Sequence, residues 1–316
     1  MRSMNTTFSS LLAAWLAIAF TLSLPAQQPG SGAQQGTAPP PQPAAGAVAV
    51  QADVPYASIN GAELRLDIYQ PADQSAARGN ALRPAVVLIH GGGWTSLDKS
   101  TLRGMGQFLA RSGFVAFAVD YRLLQGSQNR WPAQLDDVQR AVRWVRANAA
   151  KYGVNPDRIG AFGHSAGAQL AALLGMEETR DNSDPALAKY SSRVQAVVEV
   201  SGPVDFTIRE YDPEGREFMA GFLGGDYSKH PEAWREASPA FHVSKDNAPF
   251  LIVHGTKDEE VPFTQAQELY EKLQAAGVPV SFVKVGEGHT FQTPEVRREL
   301  AIQSLAFFQL YLVTPQ

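Results

Sequence analysis

The chain has 316 residues, of which 44% are hydrophobic, enough to bury one large core. Its net charge of −4 lacks the basic excess of a nucleic-acid binder. With no cysteine, a disulfide framework, a thiolate metal site and a cysteine nucleophile are all excluded.

The first segment reads as an export signal. Arg2 supplies a sparse positive start, and Leu11 to Leu24 is apolar and nearly free of charge. Ser23-Leu24-Pro25-Ala26 then offers small residues for cleavage after Ala26. The run is short for a membrane span, so residues 1–26 are expected to be a signal peptide. No other run is apolar enough to cross a bilayer. The expected location is therefore secreted or periplasmic. Residues 27–50 are mostly Gln, Pro, Gly and Ala without an apolar period, the composition of a linker. The folded domain is expected over 51–316.

From there strand and helix signals alternate. Leu64 to Tyr69 alternates apolar and polar residues, as a half-exposed strand does. Ala85 to His90, Phe114 to Val119, Ile159 to Phe162, Ala196 to Val200, Phe250 to His254 and Val280 to Val285 are short apolar runs of the kind buried on both faces. Helical periods fall between them at Pro132 to Tyr152, Ala166 to Met176, Thr264 to Ala276 and Pro294 to Leu312, with Gly277 as a C-cap signal. The alternation predicts an α/β fold, a mostly parallel central sheet with helices on both faces. Residues 206–247 break the rhythm with Gly, Pro, Tyr, Trp and Phe, and read as a small cap-like insertion.

Four loops carry chemistry. Gly163-His164-Ser165-Ala166-Gly167 follows a strand signal and opens a helix. A sharp strand-to-helix turn lifts a serine hydroxyl to where a base can reach it, and small flanking residues permit the tight turn. His90-Gly91-Gly92-Gly93-Trp94 follows an earlier strand. Its glycines allow backbone N–H groups to converge, and with the N–H of Ala166 they would bind an oxyanion. A phosphate-binding reading fails, because no Gly-Lys-Ser/Thr follows and the dinucleotide spacing is absent.

His254-Gly255-Thr256-Lys257-Asp258 leaves the carboxyl end of a strand, where open α/β sheets place their sites. Asp258 is the first candidate to orient a base; Glu259, Glu260 and Asp205 are rivals. Gly286-Glu287-Gly288-His289 follows the last strand and offers the general base. His90 and His254 end buried strands and read as hydrogen-bonded neighbours of the site. No histidine pair has metal-site spacing, and no metal or organic cofactor is expected. Trp94 and Tyr121, with Trp131, are candidates for the substrate pocket. Tyr211, Phe218, Phe222 and Trp234 are candidates for a lid.

These motifs, with Asp120-Tyr121-Arg122-Leu123, resemble in kind and order those of α/β-hydrolase serine esterases. The likeness runs from about Val54 to the C-terminus. It is nearest to the bacterial esterase/lipase group that includes feruloyl-esterase-like and hormone-sensitive-lipase-like carboxylesterases. The resemblance implies Ser165, Asp258 and His289 as a triad, and Gly91, Gly92 and Ala166 as the oxyanion hole. It implies a carboxylesterase. Export adds the expectation of a small-molecule or polysaccharide ester as substrate. Trp94 and His164 depart from the usual hormone-sensitive-lipase-like residues and tilt the likeness towards the feruloyl-esterase-like and kynurenine-formamidase-like branch. An amidase, a formamidase or a peptidase using the same residues is the alternative.

Overall fold

A computed structural model describes residues 46–73, 82–179, 181, 183–208, 211 and 213–314. The expected signal peptide and all but the last five residues of the expected linker lie outside the described residues. The elements are β1 (Val48–Ile59), β2 (Ala62–Pro71), β3 (Arg83–Ile89), α1 (Arg103–Arg111), β4 (Val115–Val119), α2 (Ala133–Ala147), α3 (Ala149–Tyr152), β5 (Val154–His164), α4 (Ala166–Leu174), β6 (Ala196–Val200), α5 (Pro213–Leu223), α6 (Pro231–Glu236), β7 (Phe250–Gly255), α7 (Phe263–Ala275), β8 (Val280–Val285) and α8 (Pro294–Leu312).

The eight strands form one sheet in the order β1-β2-β4-β3-β5-β6-β7-β8. β1–β2 and β2–β4 pair antiparallel, and every other pair is parallel. The continuous apolar strands are explained by the two faces they serve. In β3, Ala85, Val87 and Ile89 pack with α2, α4 and α7 residues such as Val138, Leu170 and Leu269. Val86 and Leu88 point the other way, to Leu109, Phe307 and Phe308 of α1 and α8. A period of two with both faces covered leaves no polar position in the strand.

One expectation needs correcting. Val48–Gln51 is already strand, paired with Pro71 to Ile68, so the ordered domain begins inside the stretch read as linker (27–50). β1 escapes notice because it is the sheet edge: half of its residues are exposed, and its short apolar start, Val48-Ala49-Val50, follows directly on the Pro- and Ala-rich stretch. Asp53, at positive φ, sits where its ladder with β2 shifts register. The helix expected from Pro132 to Tyr152 is broken at Asn148 into α2 and α3. The 206–247 stretch lies between β6 and β7 and contributes α5 and α6.

The candidate active site

The parallel strands end on one side of the sheet, and four of their exit loops meet there. β5 leads directly into α4 through Ser165, whose backbone lies at φ 55°, ψ −124°. A non-glycine residue there is strained, and strain of this kind collects at functional sites. Neighbours lock the turn. The Ser165 N–H donates to the Val200 carbonyl at 2.8 Å, and the Ser165 carbonyl accepts from Ala168 and Gln169. The flanking glycines are steric necessities. A Cβ on Gly163 would stand 2.1 Å from the Gly167 oxygen, and one on Gly167 would stand 2.2 Å from the Ile89 oxygen.

Ser165 Oγ lies 2.8 Å from His289 Nε2, and His289 Nδ1 lies 2.8 Å from Asp258 Oδ2. A carboxylate only accepts, so Nδ1 carries a proton and Nε2 faces the hydroxyl as acceptor. The other oxygen of Asp258 accepts from the backbone N–H groups of Glu260 and Val261. Burial works against the Asp258 charge. Hydrogen bonds from His254 and His289 outweigh it and hold the carboxyl well below its ordinary range. Among the rivals, Glu260 comes only to 3.8 Å of His289 Nε2 from an exposed position. Asp205 caps Thr207 instead.

The loop after β3 turns its carbonyls away from the serine. His90 Nδ1 and the Tyr121 hydroxyl donate to the Gly91 carbonyl, and Thr95 and Ser96 donate to that of Gly92. With the carbonyls tied back, the N–H groups of Gly91, Gly92 and Ala166 have no acceptor among the described residues. Gly91 packs against Ser165, a built Cβ lying 3.1 Å from the serine Cβ. Gly92 has φ +100°, and its Cβ would stand 2.2 Å from the Ser96 oxygen. Gly92 therefore requires glycine, and a side chain at Gly91 would be tight against the serine turn.

Trp94 and Tyr121, expected to line the substrate pocket, are placed differently. Trp94 is only 2% exposed, stacked on Phe222 at 4.3 Å with its indole N–H on Gln169 Oε1. The Gln169 amide continues to the Ala237 carbonyl. Trp94 thus fastens the segment between β6 and β7 to the loop rather than presenting a ring to a ligand. Tyr121 is buried, stacked on His90 at 4.3 Å with its hydroxyl on the His90 and Gly91 carbonyls. Both are supports, because a glycine-rich loop needs bulky neighbours to hold its shape. Trp131 is half-buried and packs edge-on to Phe222. Of the lid candidates, Phe222 and Trp234 are buried and Tyr211 nearly so, whereas Phe218 is half-buried beside Gly93.

Two further histidines support the site: His254, expected there from its strand-end position, and His164, which only the structure places. His164 Nε2 donates to the His289 carbonyl at 3.2 Å, and burial pushes the His164 imidazole down to about 3, so it is neutral. His254 Nε2 lies 3.2 Å from Asp258 Oδ2 and donates to the Val261 carbonyl at 3.0 Å. Behind the loops, Lys99 Nζ reaches Asp53 at 2.8 Å and Asp120 at 3.1 Å, joining β1 to the end of β4. Arg122 grips Asp137 of α2 with one edge of its guanidinium, Nε and Nη2 each donating at 2.8 Å. These pairs account for the Asp120-Tyr121-Arg122 motif as architecture. No cluster able to hold a metal occurs among the described residues. No helix among them is long and apolar enough to cross a membrane.

Comparison with known proteins shows the family and the fold. Residues 66–273 match the BD-FAE family. The chain is 32% identical to the probable carboxylic ester hydrolase LipM of Mycobacterium tuberculosis, over 74% of this chain and 54% of LipM. It is likewise 32% identical to esterase LipQ of the same organism, over 75% of this chain and 56% of LipQ. The chain therefore spans a little over half the length of the curated relatives it matches. A solved carbohydrate esterase from gut microbiota superposes with TM-score 0.70 and 28% identity, covering 84% of this chain and 97% of that one. A butyrate-bound thermophilic esterase from Thermogutta terrifontis also superposes with TM-score 0.70 and 28% identity, covering 85% and 96%. The chain belongs to the BD-FAE family and has the α/β-hydrolase fold.

Proposed function

We propose that this protein is a carboxylic ester hydrolase that works through an acyl-enzyme on Ser165. The observation that carries the reading is the unbroken line from Ser165 Oγ through His289 to Asp258, at 2.8 Å per contact, beside three unengaged backbone N–H groups. His289 Nε2 takes the hydroxyl proton as Ser165 Oγ attacks the ester carbonyl carbon. The carbonyl oxygen becomes an anion facing the N–H groups of Gly91, Gly92 and Ala166. Collapse breaks the bond to the alcohol oxygen, which leaves with the proton from His289. Water, deprotonated by His289, then attacks the acyl-serine and releases the acid and the free hydroxyl. Asp258 stays ionised throughout and stabilises the imidazolium between the two transfers.

Two neighbours guide the substrate class: the Thermogutta esterase holds butyrate, and the gut protein is a carbohydrate esterase. We propose short-chain or carbohydrate-linked esters. The apolar, sparsely charged N-terminus supports action outside the cytoplasm on a small-molecule or polysaccharide ester.

The test is hydrolysis of p-nitrophenyl acetate, butyrate and palmitate by the purified protein beside Ser165→Ala. Fast turnover of the two short esters, lost in Ser165→Ala, is expected. Turnover unchanged in that variant would overturn the mechanism. Amide cleavage with no ester cleavage would move the protein to the amidase reading.

A further inference from the structure

Behind the carboxylate of Asp258 lies a second set of buried ionisable groups that the acyl-transfer steps do not use. Glu199 lies in β6, and Ser201 follows just past its end, at positive φ. In the β6–β7 register Glu199 pairs with Ile252, so Glu199 and His254, two residues beyond Ile252 in β7, point to the same face of the sheet. The Ser201 N–H donates to the Val253 carbonyl, which continues the register past the strand's end. Glu199, Ser201 and His254 are each fully buried.

Each also has an atom without a hydrogen-bond partner: Glu199 Oε2, Ser201 Oγ and His254 Nδ1. Buried carboxyl and imidazole atoms are rarely left so, and Glu199 and His254 share one face of the sheet. The other atoms are firmly placed. Glu199 Oε1 accepts from the Gly202 N–H, and His254 Nε2 is fixed on Asp258 and Val261. A carbonyl only accepts, so His254 Nε2 bears a proton. His254 then differs between its two charge states only at Nδ1, and the Glu199 charge acts on it.

The geometry points to Glu199 as a positioning residue that acts through His254 on Asp258 and sets the pH range in which the serine site works. This rests on the acyl-serine reading above. When Glu199 ionises and His254 stays neutral, it adds negative charge behind Asp258. Both its charge and that of Asp258 then favour the protonated form of the base. When Glu199 is neutral, that support is absent.

The other groups around it are few. His254 comes from β7, Asp258 from the loop after it and His289 from the loop after β8. α4 presents Ala168 and Gln169, and α7 presents Phe263 against His254 and Gln265 against the Val204–Asp205 backbone; none of these is charged. Burial, aided by the Asp258 charge, pushes Glu199 up to about 7, so its titration falls where an esterase operates.

The experiment is a pH profile of kcat/KM on p-nitrophenyl butyrate for the wild type, Glu199→Gln and Glu199→Asp. Thermal unfolding checks each fold, and a fluorophosphonate counts competent serines. Removing the negative charge lowers the pH at which the base loses its proton. The acid limb of Glu199→Gln is thus expected to move down by on the order of half to one pH unit. Glu199→Asp, with its carboxyl drawn back from His254, moves the limb the same way by less, and carries the test should the amide variant not fold. A purely structural residue would lower activity equally at every pH. Superimposable limbs, or a limb moved upward, would overturn the proposal. Failure of the wild type to label or to turn over would instead strike the acyl-serine reading itself.

Discussion

The site depends on a few side chains whose protons have one possible place. Nδ1–H of His289 is pinned by a carboxylate that cannot donate, and that fixes Nε2 as the atom facing Ser165. Asp258→Asn keeps the shape but presents an amide that is free to donate towards Nδ1, which favours the wrong tautomer. A fall in kcat on the order of 10⁴-fold with KM little changed is expected from steady-state kinetics. Gly92→Ala tests the oxyanion loop. The added methyl has no room beside the Ser96 oxygen and disfavours φ +100°. Displacing the donor should cost on the order of 100-fold or more in kcat, whereas thiol reagents have no cysteine to attack. Ser165, Asp258 and His289, which the structure lines up, were legible in the sequence because an acyl-transfer site of the kind proposed forces small neighbours and strand-end positions on its residues. The residues that support them were not. His164, Glu199 and Gln169 interact with positions 55 to 125 residues away, and no local pattern marks such a partner.

Among the elements, the β5–α4 turn and the end of β6 carry the greatest constraint. At the turn, Gly163 and Gly167 bring strand, helix and the β3 exit within backbone contact. Gly163→Ala forces its methyl into a backbone oxygen that cannot swing aside. A lowered melting temperature and loss of fluorophosphonate labelling are expected together. At the end of β6, Glu199 makes stability depend on pH with a definite sign. Its folded value of about 7 lies above the unfolded value, so the native state holds the proton more tightly. The resulting stability is full at pH values below the unfolded value of about 4.3. It is lost as pH rises from there through about 7, and then stays flat. The slope can reach about 1.4 kcal/mol per pH unit within that window. Melting temperatures from pH 4 to 8 should show the decline in the wild type and a flatter curve for Glu199→Gln. Asp258 works in the opposite sense, its depressed value adding stability above the unfolded carboxyl range that is lost only in strong acid.

Across the whole molecule, one sheet separates two cores and brings four loops to a single edge. The parallel part of that plan was readable, because strands covered on both faces leave unbroken apolar runs such as Ala85–Ile89. The antiparallel edge was half hidden. β2 shows its alternation, whereas half of the β1 residues are exposed and its first residues look like the linker before it. Yet β1 is tied to the catalytic side. The Tyr56 hydroxyl donates to the Asp120 carbonyl at 2.6 Å, and Asp53 meets Lys99 at 2.8 Å, on the segment that carries Tyr121 under the oxyanion loop. Removing β1 would strip the β2 edge of its ladder, expose the Tyr56 site and leave Lys99 one partner short. A chain beginning at residue 46 should therefore match the full-length protein in melting temperature and ester turnover. A chain beginning at residue 60 should melt more than about 5 °C lower, since burying a side chain of the size of Tyr56 is worth roughly 2 kcal/mol before any ladder bond is counted. It should also lose kcat, through the loosened Asp120–Tyr121 support, and associate on size-exclusion chromatography through the bared edge. Equal melting temperatures for the two truncations would show that the edge strand carries none of this.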